Sequence, residues 1–410
     1  MARRHVKKIT TKRLLFLSGG DMEIESRLLP AIVERVNRSA EGVSVEAAYW
    51  GGLRPGAKGG AGASPLDLKG YDLLIFLLGK SWGRGPGADS SYKRIYTAAK
   101  RAAKDRIFYF RAMADEDLVR RDDRVAGVVA FCDGIEKDRA EICFWYDDPK
   151  RWKEMIEGHL RTWLGGIQPQ TPALDTLPDH QRRLDGWREV LVKSKKGGSR
   201  AAFRMVRRAY DYAGQRRLTR ARVWFARAAA AAHEPYIINE YGIFLKENDL
   251  LTLAGRVFEN LARLGQLTGD KLVMGSALRH LGDVSERNHD LAKADTFYRK
   301  AITFEKDLGR TVKQASLYQT RGMVHFKTGD LDAAQELFAR ALELYQAAGL
   351  IEGQALVYYC LTGVHIQRYD PPAAMHACEK AMELFEQLGA GEMIAQLQSL
   401  LSAIEKIGQG

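Results

Sequence analysis

Only four cysteines occur in the 410 residues (Cys132, Cys143, Cys360, Cys378). They form no CxxC pair and no zinc-ligand spacing. That argues against a disulfide framework or a structural zinc site, and the four read as free, buried thiols of a reducing compartment. The nine histidines include no HExxH and do not cluster with cysteine, so no metal ligation is expected. Long apolar runs are missing: no stretch nears the ~18 residues that a membrane-crossing helix needs. The basic start (Arg3, Arg4, Lys7, Lys8, Lys12, Arg13) is followed only by the apolar run Leu14 to Leu17, too short for a signal-peptide core. A cytoplasmic protein with no membrane span is expected. Glutamate is also absent between Glu46 and Glu116, which bears on catalysis below.

Charge is plentiful but uneven. The net charge is +12. From Asn239 onward there are 18 basic and 22 acidic residues, so the first 238 residues carry about +16. The densest block holds Lys193, Lys195, Lys196, Arg200, Arg204, Arg207, Arg208, Arg216, Arg217, Arg220 and Arg222 against Asp211 alone. Such a block can meet phosphate, an acidic membrane surface or an acidic protein. The plainer reading is a solvated helix face.

A period of 40 residues runs through the carboxy-terminal half. Asp290, Asp330 and Asp370 share one phase, as do Ala294, Ala334 and Ala374, then Ala301, Ala341 and Ala381, then Gly309, Gly349 and Gly389. Small residues at fixed phase let paired helices pack closely and stack into a solenoid. A fuller pattern, small residue, Ala, aromatic, Ala, appears as Ala209, Ala221, Phe225, Ala228. It returns as Gly242, Ala254, Phe258, Leu261; as Gly282, Ala294, Tyr298, Ala301; as Gly322, Ala334, Phe338, Ala341; and most loosely as Thr362, Ala374, Cys378, Ala381.

This pattern resembles the tetratricopeptide repeat over roughly residues 202–388, with 394–407 as a capping helix. The resemblance implies a groove, lined by the first helix of each pair, that holds another protein. The positions it assigns include Tyr236, Asn239, Ile243 and Lys246; Ser276, Arg279, Asp283, Glu286 and Arg287; Gln319, Met323, Phe326 and Lys327; and Leu356, Tyr359, Ile366 and Gln367. Some of these positions are also suited to packing against neighbouring repeats. The set lacks the lysine and asparagine run that clamps a carboxy-terminal carboxylate.

The first ~165 residues alternate strand and helix signals, which predicts an open, mostly parallel α/β sheet. Strands are expected at Leu14 to Ser18, Val43 to Trp50, Tyr71 to Leu78, Ile107 to Phe110, Gly127 to Phe131 and Ile142 to Tyr146. Helices are expected at Ile24 to Val36, Ser90 to Lys104 and Pro149 to Leu164. Gly51 to Ala63 reads as a glycine-rich loop. Pro169, Pro172 and Pro178 mark a basic linker, giving domains 1–165, 166–200 (linker) and 201–410.

Ser18-Gly-Gly-Asp21 before a helix carrying Glu25 and Arg27, the run Tyr71 to Gly83, and Tyr146-Asp-Asp-Pro149 before a helix ending Trp163-Leu164 together resemble bacterial Toll/interleukin-receptor-like domains. In that superfamily several members cleave NAD, using a glutamate four residues after a Ser-x-aromatic pattern. Ser90-Ser-Tyr92 sets the frame here, and Tyr96 stands where the glutamate belongs, so no catalytic residue is expected. The enzyme alternative is an NAD glycohydrolase of atypical site, with Asp89 or Glu25 substituting.

Gly79-Lys80-Ser81 echoes a phosphate-binding loop, but Leu74 occupies the position that requires glycine. Ser18, Gly19, Gly20, Asp21, Gly79, Lys80 and Trp82 nonetheless fall at strand ends where open α/β sheets bind ligands. NAD or another nucleotide bound without catalysis, or a plain tight turn, both suit them. The expectation is thus an interaction scaffold in a signalling or defence assembly. Its groove binds a partner protein, and its α/β domain self-associates into a homo-oligomer or senses a nucleotide. A nucleic-acid binder through residues 193–222 is the third reading.

Overall fold

The computed structural model describes residues 10–40, 42–50, 68–82, 88–120, 122–138, 140–170, 197–232 and 234–408, with the side chains of 88–91, 197–199 and 407–408 outside the description. The glycine-rich segment 51–63, most of the linker and Lys193, Lys195 and Lys196 lie outside the described residues. The chain forms two compact units, Met1–Leu253 and Ala254–Gly410.

The first unit opens with five parallel strands: β1 (Thr10–Ser18), β2 (Val43–Trp50), β3 (Leu73–Leu78), β4 (Asp105–Arg111) and β5 (Ile142–Tyr146), in the order β2-β1-β3-β4-β5. β3 is buried along its whole length, as its unbroken apolar sequence requires. Between the strands run α1 (Glu23–Ser39), α2 (Ala88–Arg101), the short α3 (Asp115–Val119) and α4 (Asp123–Lys137), and α5 (Pro149–Leu164) follows β5. On one face, Leu14, Phe16, Ile75, Tyr109 and Phe144 pack with Leu29, Ile32 and Val36 of α1 and with Trp152, Ile156 and Leu160 of α5. On the other, Phe76 and Phe108 stack 4.7 Å apart. They meet Tyr92 and Tyr96 of α2 edge to face, a geometry favoured by aromatic quadrupoles.

One strand expectation fails. Gly127 to Phe131 is helical, inside α4. The β-branched run reads as a strand locally, but Val125, Val128, Val129, Cys132 and Ile135 are buried at helical spacing, and Asp122 caps the helix by accepting from the Arg124 N–H.

The helix pairs that follow are α6 (Gly197–Gly214) with α7 (Leu218–Ala231), α8 (Pro235–Glu247) with α9 (Leu251–Thr268), α10 (Lys271–Arg287) with α11 (Leu291–Asp307), α12 (Thr311–Thr328) with α13 (Leu331–Ala347), and α14 (Ile351–Gln367) with α15 (Pro371–Gln387); α16 (Gly391–Gly408) closes the chain. The repeat positions have physical causes. Asp290, Asp330 and Asp370 are N-caps, accepting from the N–H groups of Lys293, Ala333 and Ala373. Every alanine and aromatic of the repeat pattern is at most 1% exposed. Gly282 and Gly322 face the rings of Tyr298 and Phe338, which a Cβ at either position would strike. The last pair carries Thr362 and Cys378 at those two phases, both fully buried. It has more volume where the three preceding pairs have glycine and less where they have a ring.

The four cysteines are free; three are buried and Cys360 is half-buried. Burial pushes the Cys360 thiol up to about 11. No helix among the described residues is long and apolar enough to cross a membrane, and no cluster of metal-ligating side chains occurs among them.

Gly322→Ala is expected to destabilise the second unit by about 1–3 kcal/mol through overpacking against Phe338, read from the denaturant midpoint. The pair Gly322→Thr with Phe338→Cys, which copies the last repeat, should lose less than the two single changes added together. Simple additivity would show that the two positions do not share one volume.

Candidate functional site

The chain steps from β1 out to β2 and then returns to the other side of β1 as β3, so the switch point of the sheet lies between the carboxyl ends of β1 and β3. The two loops there close on each other. A Cβ on Gly19 would strike the Ser81 carbonyl oxygen, and one on Gly79 would strike the Asp21 carboxylate. The glycines therefore serve close approach of backbone to the protein's own groups. Asp21 Oδ2 accepts from the Lys80 N–H at 2.8 Å and from Arg111 Nη2 at 3.0 Å, while Lys80 Nζ pairs with Asp117 at 3.0 Å. Ser18 Oγ and Asp21 Oδ1 are buried without a protein partner among the described residues. Gly20 is half-buried in the β1 loop. Trp82 turns to the aromatic face, 5.1 Å from Phe131 and under Lys93. A phosphate brought to this crevice meets the Asp21 carboxylate first. The two unpartnered oxygens suit a donor such as an amide or a sugar hydroxyl better than an anion.

Of the two carboxylates considered for NAD chemistry, Glu25 is otherwise engaged. Glu25 is fully buried; it accepts from Arg111 at 3.3 Å and from the Tyr146 hydroxyl at 2.9 Å. Tyr96 packs edge-on to Phe76, Phe108 and Phe131. Its hydroxyl donates to Glu141 at 3.2 Å, and Glu141 is itself held by Arg106 at 3.1 Å. Burial, reinforced by Glu141, pushes the Tyr96 hydroxyl up to about 12, so it carries no charge near neutrality. Asp89 lies in α2 with its side chain outside the described residues.

A second cluster is invisible to sequence reading. At the carboxyl ends of β4 and β5, acids of the sheet region hold the first solenoid helices. Asp133 of α4 binds Arg217 Nη2 at 2.6 Å and Arg220 at 3.4 Å. Glu136 accepts from the Thr219 N–H at 3.0 Å and from its hydroxyl, capping α7 from a different element. Arg222, 5% exposed, donates to the Met113 carbonyl and pairs with Asp115 at 3.0 Å. Asp115 also accepts from the Tyr241 hydroxyl at 2.5 Å. Asp147 accepts from the Leu253 N–H at 2.8 Å, and Arg151 pairs with Asp249 at 2.5 Å. Beneath these contacts lies a cavity of about 20 Å³ lined by Phe110, Met113, Trp145, Leu218 and Phe244, room for a single water.

Environment splits the two acids of α4. Burial opposes ionisation of Asp133, but Arg217 and Arg220 outweigh it and hold the carboxyl below its usual range. Glu136 is fully buried; burial dominates and raises it well above the ordinary value despite the Thr219 bonds. The pairings span 83 to 126 residues of sequence, and no local pattern could have announced them.

The basic block is thereby divided. Arg217, Arg220 and Arg222 are spent internally, whereas Arg204, Arg207 and Arg208 are exposed on α6. Of the groove positions in the first unit, Tyr236 and Ile243 are buried, and Asn239 and Lys246 are half-buried. In the second unit Arg279 lies 3.8 Å from Asp283 and Arg287 is exposed. Gln319 accepts from the Tyr345 hydroxyl at 3.2 Å. Phe326 is half-buried against the Gly363 position of the next first helix. Tyr359 is 40% exposed, Gln367 is exposed, and Lys327 is tied to Glu286 at 2.5 Å.

Because the Glu136 carboxyl is raised in the folded chain, the stability it contributes is fully present below the unfolded carboxylate range and is lost as pH rises through the folded value. Glu136→Gln should therefore gain on the native chain as pH goes from about 5 to 8, measured by thermal unfolding across that window. A constant difference would show that the group does not titrate there. Arg222→Ala leaves the buried Met113 carbonyl without its donor and Asp115 with the Tyr241 hydroxyl alone, and should cost about 1–3 kcal/mol in the same assay.

No curated protein matches the chain. Among solved structures, a signal-transduction ATPase with numerous domains from Pyrococcus horikoshii, which has a tetratricopeptide repeat sensor, shares 10% identity over 96% of this chain and 71% of its own, with a TM-score of 0.45. BtubC from P. vanneervenii shares 18% over 51% of this chain and 85% of its own, with a TM-score of 0.41. The apo quorum sensor NprR from B. thuringiensis shares 12% over 76% of each chain, with a TM-score of 0.40. Likenesses this weak carry no functional argument. Residues 273–347, however, match the tetratricopeptide repeat family, and the helix pairs that span them are tetratricopeptide repeats.

Proposed function

We propose that the chain is an adaptor whose tetratricopeptide solenoid captures a segment of a partner protein. The observation that carries this reading is the first-helix surface of the second unit. The repeat positions are consumed by packing between helices. Met323 and Phe326 of α12 and Leu356, Tyr359 and Ile366 of α14 stay half-buried or exposed beside the polar Gln319 and Gln367. Half-exposed aromatic and amide groups on neighbouring rigid helices are well suited to anchoring an extended or helical peptide. Arg279 and Arg287 favour acidic residues at one end of that peptide.

The α/β region, read as a Toll/interleukin-receptor-like module, supplies the assembly arm. Self-association is favoured over nucleotide sensing, because Asp21 fills the switch-point crevice and Glu25 is sealed by Arg111 and Tyr146. The setting proposed for the whole is a signalling or defence assembly inside the cell.

Tyr359→Ala combined with Arg279→Glu and Arg287→Glu should remove a discrete set of proteins from those crosslinked to the full chain in cells, with the helical spectrum unchanged. An identical crosslinked set would sink the groove assignment. Sedimentation of the native chain should show mass rising with concentration and no shift on adding NAD. A concentration-independent monomer that binds NAD would reverse the roles given to the α/β region.

A further inference from the structure

The eleven basic residues of 193–222 look alike in sequence, but their surroundings sort them. Arg217, Arg220 and Arg222 each meet an acid. Arg204, Arg207 and Arg208 of α6 meet no carboxylate among the described residues and are exposed. Ala202, Val206, Ala209 and Ala213 form the buried stripe of this helix. At about 100° per residue, Arg200, Arg204, Arg207 and Arg208 fall within an arc of about 100° on the opposite side. One acid, Asp211, shares that side. Arg208 is also fixed in place: its guanidinium lies 4.6 Å over the Trp224 ring, and Arg227 approaches the same ring at 5.6 Å. Stacking restrains the long side chains, so less rotamer freedom is lost when a ligand binds.

We infer that the outer face of α6 is a binding surface for the phosphodiester backbone of a single nucleic-acid strand, read without regard to sequence. The exposed bases are all arginine, whose planar fork matches a phosphate in two hydrogen bonds where lysine offers a point charge. Residues four apart rise about 6 Å along the helix, comparable with the step between successive phosphates of a strand. Four bases stand against the single acid Asp211 on this face, on a chain half that is already basic. None of these arginines belongs to the groove set, so the adaptor reading neither requires this surface nor depends on it.

The test uses the full chain, a labelled oligo-dT of about 20 nucleotides, and titrations over a range of salt. Arg204→Ala with Arg207→Ala and Arg208→Ala should weaken binding about ten-fold or more near 100 mM salt. The same change should flatten the slope of log affinity against log salt by about 2, since each lost phosphate contact removes about 0.7 on a single strand. Arg299→Ala with Lys300→Ala, exposed on α11, should leave both readings within about two-fold of native. Native-like binding and slope in the triple variant would overturn the proposal. So would a polyglutamate of equal charge, or phosphatidylserine vesicles, competing as well as unlabelled oligo-dT; the face would then belong to an acidic protein or a membrane surface.

Discussion

A guanidinium removed from water has to be matched, and in this chain the match crosses between two kinds of structure. Arg222 leaves α7, enters the carboxyl edge of the parallel sheet and is satisfied there by the Met113 carbonyl and Asp115. Around it, Asp133 and Glu136 hold the start of α7, and Asp147 takes up the Leu253 N–H. Each contact meets a need that one element cannot meet alone: a helix start has N–H groups without partners, and a strand end exposes carbonyls. The first compact unit therefore runs to Leu253, well past the composition break at 166–200.

That joint also decides what the sheet can do. Open α/β sheets bind ligands beyond the carboxyl ends of their strands. Here the edge at β4 and β5 is covered by the helices that follow and keeps a cavity of about 20 Å³, while the crevice between β1 and β3 is filled by Asp21 and Ser81. The surfaces proposed for contact with other molecules belong to the helices: the arginine face of α6 and the first-helix residues of the repeats.

The solenoid was legible from sequence because its determinants are local and repeated. An aspartate that caps a helix and a glycine that faces a ring act within a few turns of themselves, so Asp290, Gly282 and Tyr298 announce their roles by phase alone. The five strands were legible for a similar reason, their apolar runs being bounded by turn residues. The segment Gly127 to Phe131 was misread because its β-branched run is the same in a strand as in a helix, and only the wider spacing of buried positions tells them apart. The buried joint was not legible at all. Nothing near Arg222 distinguishes it from Arg208, and the difference lies in an aspartate 107 residues away.

A stack of repeats exposes an unsatisfied apolar face at each end and needs something to close it. Here α16 closes the last pair by burying Leu397 and Ile404, while acids of the α/β region hold the start of α7, Tyr241 of α8 and Leu253 of α9. The first two pairs and the last are thus tied to specific neighbours by side-chain contacts. Duplication or loss of a whole 40-residue unit is then tolerable only between the ends. Related chains should differ in length there, by whole multiples of that unit, and seldom at either terminus.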